Sequence, residues 1–166
     1  MTKTITRAAL FAAATLTFAA ASHAAPPAPE FVAKAGASDK YEMTSSKLML
    51  GSTKNAGIKT YANEMITDHT KSTAMVKAAA MKSGLHPKPP VLNAQQKSDV
   101  AALTSAKGTA RDQLYVQQQK ASHQAALDLM QDEAKTGDKP ALKSAAGKIV
   151  PVVQHHIAML NAMPTA

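Results

Sequence analysis

The sequence predicts an all-α protein, namely an up-down four-helix bundle with a short extra helix in the crossover between the second and third long helices. Three observations indicate this fold. Core-type residues recur every three or four positions along four long segments, and Gly or Pro residues separate those segments. Good helix formers such as Ala, Lys, Gln, Met and Leu dominate the composition. The alternation of β-branched residues that is typical of strands is missing.

The N-terminal segment predicts export from the cytoplasm. Lys3 and Arg7 give it a positive start, and the apolar run that follows over residues 8–20 is too short to cross a bilayer. Small residues at Ser22 and Ala24 match the positions that a signal peptidase reads. We therefore expect a secretory signal at residues 1–24, a Pro-rich spacer at 25–30, one helical-bundle domain at 31–166, and a periplasmic location.

The helices are expected, in chain order, at residues 31–50, 55–83, 93–108, 109–135 and 140–163. Gly51 and Gly84 end the first two helices, and the Pro-rich segment 86–90 cannot be helical. Asn93 with Gln96 three residues later resembles a capping box that opens the short third helix. Pro151 lies inside the last helix and is expected to kink it.

Composition excludes several classes of function. The chain has 166 residues, a formal charge of +8 and no cysteine, which excludes disulfides, thiolate chemistry and cysteine metal sites. Its lysines are scattered and aromatic residues are few, so nucleic acid is not expected as a partner. A basic surface could still attract anionic components of the cell envelope. The sequence has no Gly-rich phosphate loop and no nucleophile elbow, so it favours a non-enzymatic protein without deciding the question.

Each long helix carries one ionisable residue on its predicted core-facing stripe: Glu42, His69, His123 and His156. Because burying an unpaired charge is costly, four such residues on four helices need an explanation. Converging imidazoles, with or without a carboxylate, suit Zn(II) and, less specifically, Fe, Mn or Cu ions. Asp68 is a candidate for a residue that orients one of these metal ligands without binding the metal itself. The alternative is a buried hydrogen-bond network that only fixes the helix register.

The depths of these residues can be compared if the turns near Thr53 and Asp138 share one end of the bundle. On that assumption, at about 1.5 Å per residue, the three histidines fall within about 4.5 Å of one level, and Glu42 lies about one to two turns higher. The di-iron motif Glu-x-x-His is missing before all three histidines. We therefore expect a histidine cluster in the core, with a metal ion of unassigned identity as the candidate cofactor.

Four stretches of the sequence together match the pattern of a known family. They are residues 41–48 (Tyr-Glu-Met-Thr-Ser-Ser-Lys-Leu), residues 61–71 with Asp68-His69-Thr70, Asp112 with Tyr115 and His123, and Pro151 followed five residues later by His156. The pattern is similar to that of the exported bacterial family called Domain of Unknown Function 4142. The resemblance implies a ferritin-like helical bundle without an agreed activity, whose members are often labelled outer-membrane proteins. The positions that match its motifs include Glu42, Asp68, His69, His123 and His156.

The sequence leaves two main hypotheses of function open. The first is a periplasmic bundle that binds a transition metal through its core His and Glu residues and acts in envelope stress or metal handling. The second is a non-catalytic envelope protein that binds anionic components through its basic surface, with the core His and Glu purely structural. A third, catalytic hypothesis requires an open metal position that activates water or a peroxide.

Overall fold

The structure is a computed structural model in which residues 24–163 are described. The expected secretory signal lies outside these residues, except for Ala24. The described residues form five helices and no strand, so the all-α prediction and the extra helix are confirmed. The helices are α1 Ala28–Leu50, α2 Ala56–Lys82, α3 Ala94–Ser105, α4 Gly108–Thr136 and α5 Pro140–Ala162. None of these five helices is both long and apolar enough to span a bilayer.

Local sequence signals set several of the helix ends. Asn55 caps α2, because its Oδ1 accepts a hydrogen bond of 3.1 Å from the Ile58 backbone N–H. The capping box predicted at Asn93 and Gln96 is present at the start of α3, with both of its hydrogen bonds formed. Pro151 does not end α5, which continues through it to Ala162.

The first helix begins earlier than predicted. α1 starts at Ala28, so residues 28–30 of the expected Pro-rich spacer are helical. The physical reason is that Pro29 falls in the first turn, where the N–H that proline lacks would have no partner within the helix. The Pro27 carbonyl accepts hydrogen bonds from the backbone N–H groups of Glu30 and Phe31, at 2.8 and 3.0 Å, and so starts the helix.

The long helices pack as two hairpins. α1 packs along α2 to form the first hairpin, and α4 packs along α5 to form the second, in each case after a short connection. The hairpins meet where α2 contacts α5 and where α1 contacts α4. α3 lies in the connection between the hairpins and packs against α1 and α4. Its Leu103 is fully buried and anchors this connection to the body of the protein.

Two apolar clusters occupy opposite ends of the molecule. The first cluster joins the starts of α1 and α5 to the ends of α2 and α4, and includes Phe31 and Leu142. The second cluster joins the ends of α1 and α5 to the starts of α2 and α4, and includes Met49 and Leu160. α1 and α5 therefore run in one direction, and α2 and α4 run in the other.

The assumption that the turns near Thr53 and Asp138 share one end is wrong. Thr53 follows α1 at the end of the second apolar cluster, whereas Asp138 precedes α5 at the end of the first. The reason is the connection that contains α3, which returns the chain to the end where α2 began. The direction of the long helices therefore does not alternate strictly along the chain, in contrast to the expected up-down order.

Replacing Leu103 with Ala tests how far α3 contributes to stability. Leu103 is the one residue of α3 that is buried, so its truncation leaves a cavity and loosens the connection between the hairpins. We expect the free energy of unfolding to fall by about 2–5 kcal/mol in urea denaturation. Met81→Ala, at an exposed position of α2, is the matched control and should change it by less than about 0.5 kcal/mol. Equal effects of the two substitutions would mean that α3 does not support the fold.

Candidate metal centre

A polar layer separates the two apolar clusters. Its central members are the four residues predicted on the core-facing stripes, and all are buried: Glu42 is 0% exposed, His69 5%, His123 1% and His156 1%. Each long helix contributes one of them, because a spacing of three and four residues keeps a side chain on the same helical face. The predicted burial of all four residues is therefore found in the structure.

The three imidazoles converge at one place. Their ring centroids are 5.6 Å apart between His69 and His123, 5.6 Å between His69 and His156, and 5.3 Å between His123 and His156. One ring nitrogen of each histidine lies within 4.8 Å of the corresponding nitrogen of the other two. We call this group the histidine triad. The wrong assumption about the turns changes the expected depths of His69 and His123 little. Both residues lie near the middle of their helices and are therefore about equally far from either end.

A carboxylate orients His69. Its Nδ1 donates a hydrogen bond of 2.9 Å to Oδ1 of Asp39, which is itself buried in α1. The second carboxylate oxygen of Asp39 accepts a hydrogen bond of 2.9 Å from the Thr73 hydroxyl. The other ring nitrogen of His69, Nε2, is buried and has no hydrogen-bond partner among the described residues.

The other two rings are held in a similar way. His123 Nδ1 donates to the backbone carbonyl of Gln119 at 2.9 Å, and its Nε2 has only a long contact of 3.5 Å with the Tyr61 hydroxyl. His156 Nε2 lies 3.4 Å from Oδ2 of Asp68, and its Nδ1 is buried without a partner in the described part of the chain. Each ring thus has one nitrogen on an acceptor, and in its neutral form it carries a lone pair on the other. Histidines that ligate metals show this same division.

Glu42 lies beside the histidine triad rather than within it. Its Oε1 accepts a hydrogen bond of 2.7 Å from the Ser122 hydroxyl and is 3.9 Å from His123 Nδ1. Its Oε2 is buried with no hydrogen-bond partner among residues 24–163. The mutually close donor atoms belong to the three histidines and do not include this carboxylate. Glu42 therefore supplies a negative charge next to the triad.

Burial decides the protonation of two of the three histidines. It lowers the pKa of His156 to about 3, and the neighbouring His123 and His69 reinforce this effect. Burial also lowers the pKa of His123, with a further contribution from His69. At His69, burial likewise disfavours the charged form, but the hydrogen bond to Asp39 and the charge of Glu42 outweigh it, so the pKa is raised. At neutral pH, His123 and His156 are therefore uncharged and offer lone pairs.

Two carboxylates contact rings of the triad, and the sequence indicated one of them. Asp68, the candidate for supporting a ligand, lies beside His156 on another helix. Asp39 was not predicted, although it contacts His69 directly. The available signal was its position three residues before Glu42, which places both side chains on one face of α1.

The fold and this site define an all-helical protein with a buried cluster of histidines. The chain belongs to the family described as Domain of unknown function (DUF4142), whose profile matches residues 13–163. The crystal structure of a DUF305 fragment from Deinococcus radiodurans is similar, with a TM-score of 0.70 over 84% of this chain and 96% of that chain. At 15% sequence identity this similarity concerns the fold alone. No curated protein sequence matches the chain.

Replacing Asp39 with Asn tests the charge that acts on His69. The pKa of His69 is raised in the folded state, so its stabilising contribution is present below the unfolded value of about 6.5 and is lost as pH rises through the folded pKa. We expect Asp39→Asn to lower the free energy of unfolding by about 1–3 kcal/mol at pH 6 and by less at pH 9. Urea denaturation at both pH values measures this difference. Glu30→Gln, at an exposed ion pair, is the control, and an equal loss for Asp39→Asn at both pH values would contradict the assignment.

Proposed function

We propose that this protein is an exported, ferritin-like helical bundle that binds one transition-metal ion through His69, His123 and His156 and acts in metal handling or stress response of the cell envelope. The observation that carries the proposal is the convergence of three buried imidazoles whose second nitrogens already face acceptors. Glu42 adds an anionic group that offsets the positive charge of an ion.

The unpartnered atoms of the triad favour a metal over a purely structural network. A network that only fixed the helix register would satisfy its own buried polar atoms, because each buried donor or acceptor left unpaired costs about 1–3 kcal/mol. In this core, His69 Nε2 and His156 Nδ1 both lack partners among the described residues, and so does Glu42 Oε2. A cation bound between the rings would use the two nitrogens and compensate the carboxylate.

The donor set suits some metals better than others. Three imidazoles are typical ligands of Zn(II) and Cu(II), whereas Mn(II) prefers more oxygen donors. Because the pKa of His69 is raised, its ring would give up its second proton when it bound the ion. Two nitrogens on a tetrahedral zinc ion are about 3.4 Å apart, given bonds of about 2.0–2.1 Å. The triad nitrogens all lie within 4.8 Å of one another, so the rings would have to approach each other by up to about 1.4 Å to reach this spacing. Three protein ligands would leave a fourth position for water or another small ligand.

The connectivity of the helices supports the ferritin-like part of the proposal. Ferritin-like bundles contain one long crossover connection between their two helix pairs. Here the connection that contains α3 joins the first hairpin to the second and reverses the expected direction of α4. The similarity to the DUF305 fragment supports the fold and adds nothing about its ligand.

Metal titration of the purified, metal-free protein tests the proposal. We expect Zn(II) or Cu(II) at about one hundred times its Kd to stabilise the fold by about 2.7 kcal/mol, because the ion binds only the folded state. This corresponds to a rise of roughly 5–10 °C in the unfolding temperature. Isothermal titration should give one ion per chain.

Histidine variants separate the triad from adventitious binding. His69→Ala with His156→Ala should abolish the shift, and His123→Gln, which preserves volume, should weaken it at least tenfold in Kd. His86→Ala, at an exposed position in the Pro-rich connection, removes a histidine elsewhere and should leave the shift unchanged. If excess Zn, Cu, Fe and Mn ions all leave the unfolding temperature unchanged, the metal proposal fails and the structural network remains.

Fractionation of cells tests the proposed export. We expect the protein in the fraction released by osmotic shock, and we expect deletion of residues 2–24 to retain it in the cytoplasm. Sedimentation with envelopes at low salt and release at high salt would instead favour binding to anionic envelope components through the basic surface. An outer-membrane association that survives high salt would contradict both.

A further inference from the structure

We infer that Glu64, Asp68 and His155 form a surface port through which a divalent cation reaches the histidine triad by way of His156. The inference rests on the proposed function, and it concerns the route of loading rather than the site that finally holds the ion. We refer to these three residues as the port.

The port lies where the two hairpins meet. Glu64 and Asp68 are one helical turn apart on α2, so their carboxylates share a face. On α5, His155 Nε2 lies 3.1 Å from Glu64 Oε1, and His156 Nε2 lies 3.4 Å from Asp68 Oδ2. One donor atom each from Glu64, Asp68 and His156 lies within 4.8 Å of the others. This group combines carboxylate and imidazole donors, which suits a borderline divalent cation better than carboxylates alone.

The side chains form a gradient of burial from solvent to core. The exposed fraction is 61% for the side chain of His155, 30% for Glu64, 22% for Asp68 and 1% for His156. His156 belongs to both groups of close donor atoms, the one at the surface and the triad. Its Nε2 faces the port and its Nδ1 is buried without a partner in the described chain. The same ring therefore connects the surface donors to the interior.

A competing route is less suited to a hydrated ion. A cavity of about 300 Å³ beside the Pro-rich segment reaches Asp39, behind His69. Both oxygens of Asp39 already accept hydrogen bonds, from His69 and Thr73, and prolines and valines form much of the cavity wall. At the port, by contrast, the cation that pairs with Asp68 is Lys71, whose side chain is 68% exposed and can swing into solvent when a metal ion arrives.

The test compares the kinetics of zinc uptake with its equilibrium. The full mature chain is mixed with Zn(II) alone in a stopped-flow instrument, and a zinc-responsive dye reports free ion. We expect Glu64→Gln and His155→Ala each to slow both the uptake and the release of zinc about tenfold and to leave its Kd within about twofold of the wild-type value. The reason is that a port lowers the activation barrier for entry and exit alike and so does not change the equilibrium. Glu30→Gln is the matched control, since it removes the same charge from an exposed acid at the start of α1.

Three outcomes would overturn the inference. Uptake at the wild-type rate in both port variants rejects the port and leaves the triad intact. A weaker Kd with an unchanged uptake rate means that Glu64 and His155 only support the fold or the final site, and this also rejects the port. If the wild-type chain takes up no zinc, copper, iron or manganese, both the proposed function and the port are rejected.

Discussion

Three imidazoles and a carboxylate are buried in the core of a bundle that has no disulfide to hold it together. The two apolar clusters flank the polar layer and supply the hydrophobic stabilisation that the layer itself cannot provide. Burial keeps His123 and His156 uncharged, so the layer does not carry three like charges at close range. At His69 the pKa is raised, because the hydrogen bond to Asp39 favours the charged form. An arrangement that costs stability in this way is typical of a functional site.

The positions of the long helices and of their buried polar residues follow from the periodicity of the sequence, whereas the direction of α4 does not. The spacing of three and four residues predicted four long helices and placed Glu42, His69, His123 and His156 inside, because side-chain direction along a helix depends only on local geometry. The direction of α4 could not be predicted in this way. A connection of the length that contains α3 can end at either end of the bundle, and the choice depends on tertiary packing, here on burial of Leu103 against neighbouring helices.

The carboxylates that contact the histidines could not be predicted from periodicity either. Asp68 matches the pattern of the family, but it contacts the ring of His156 on another helix and not that of His69, its neighbour in the sequence. Asp39 comes from a helix other than that of His69, and such a pair becomes visible only when α1 and α2 are placed side by side. Sequence reasoning therefore predicted that the three histidines come together, but it did not predict the groups that orient their rings and so determine which ring nitrogen is free.

The division of the chain into two hairpins has a consequence for how the molecule opens. His69 belongs to the first hairpin, whereas His123 and His156 belong to the second. Fraying at a helix terminus leaves all three rings in place, but separation of the hairpins takes the triad apart. An ion bound to all three histidines would thus link the two hairpins and oppose their separation. It would leave local unfolding at the helix termini unaffected.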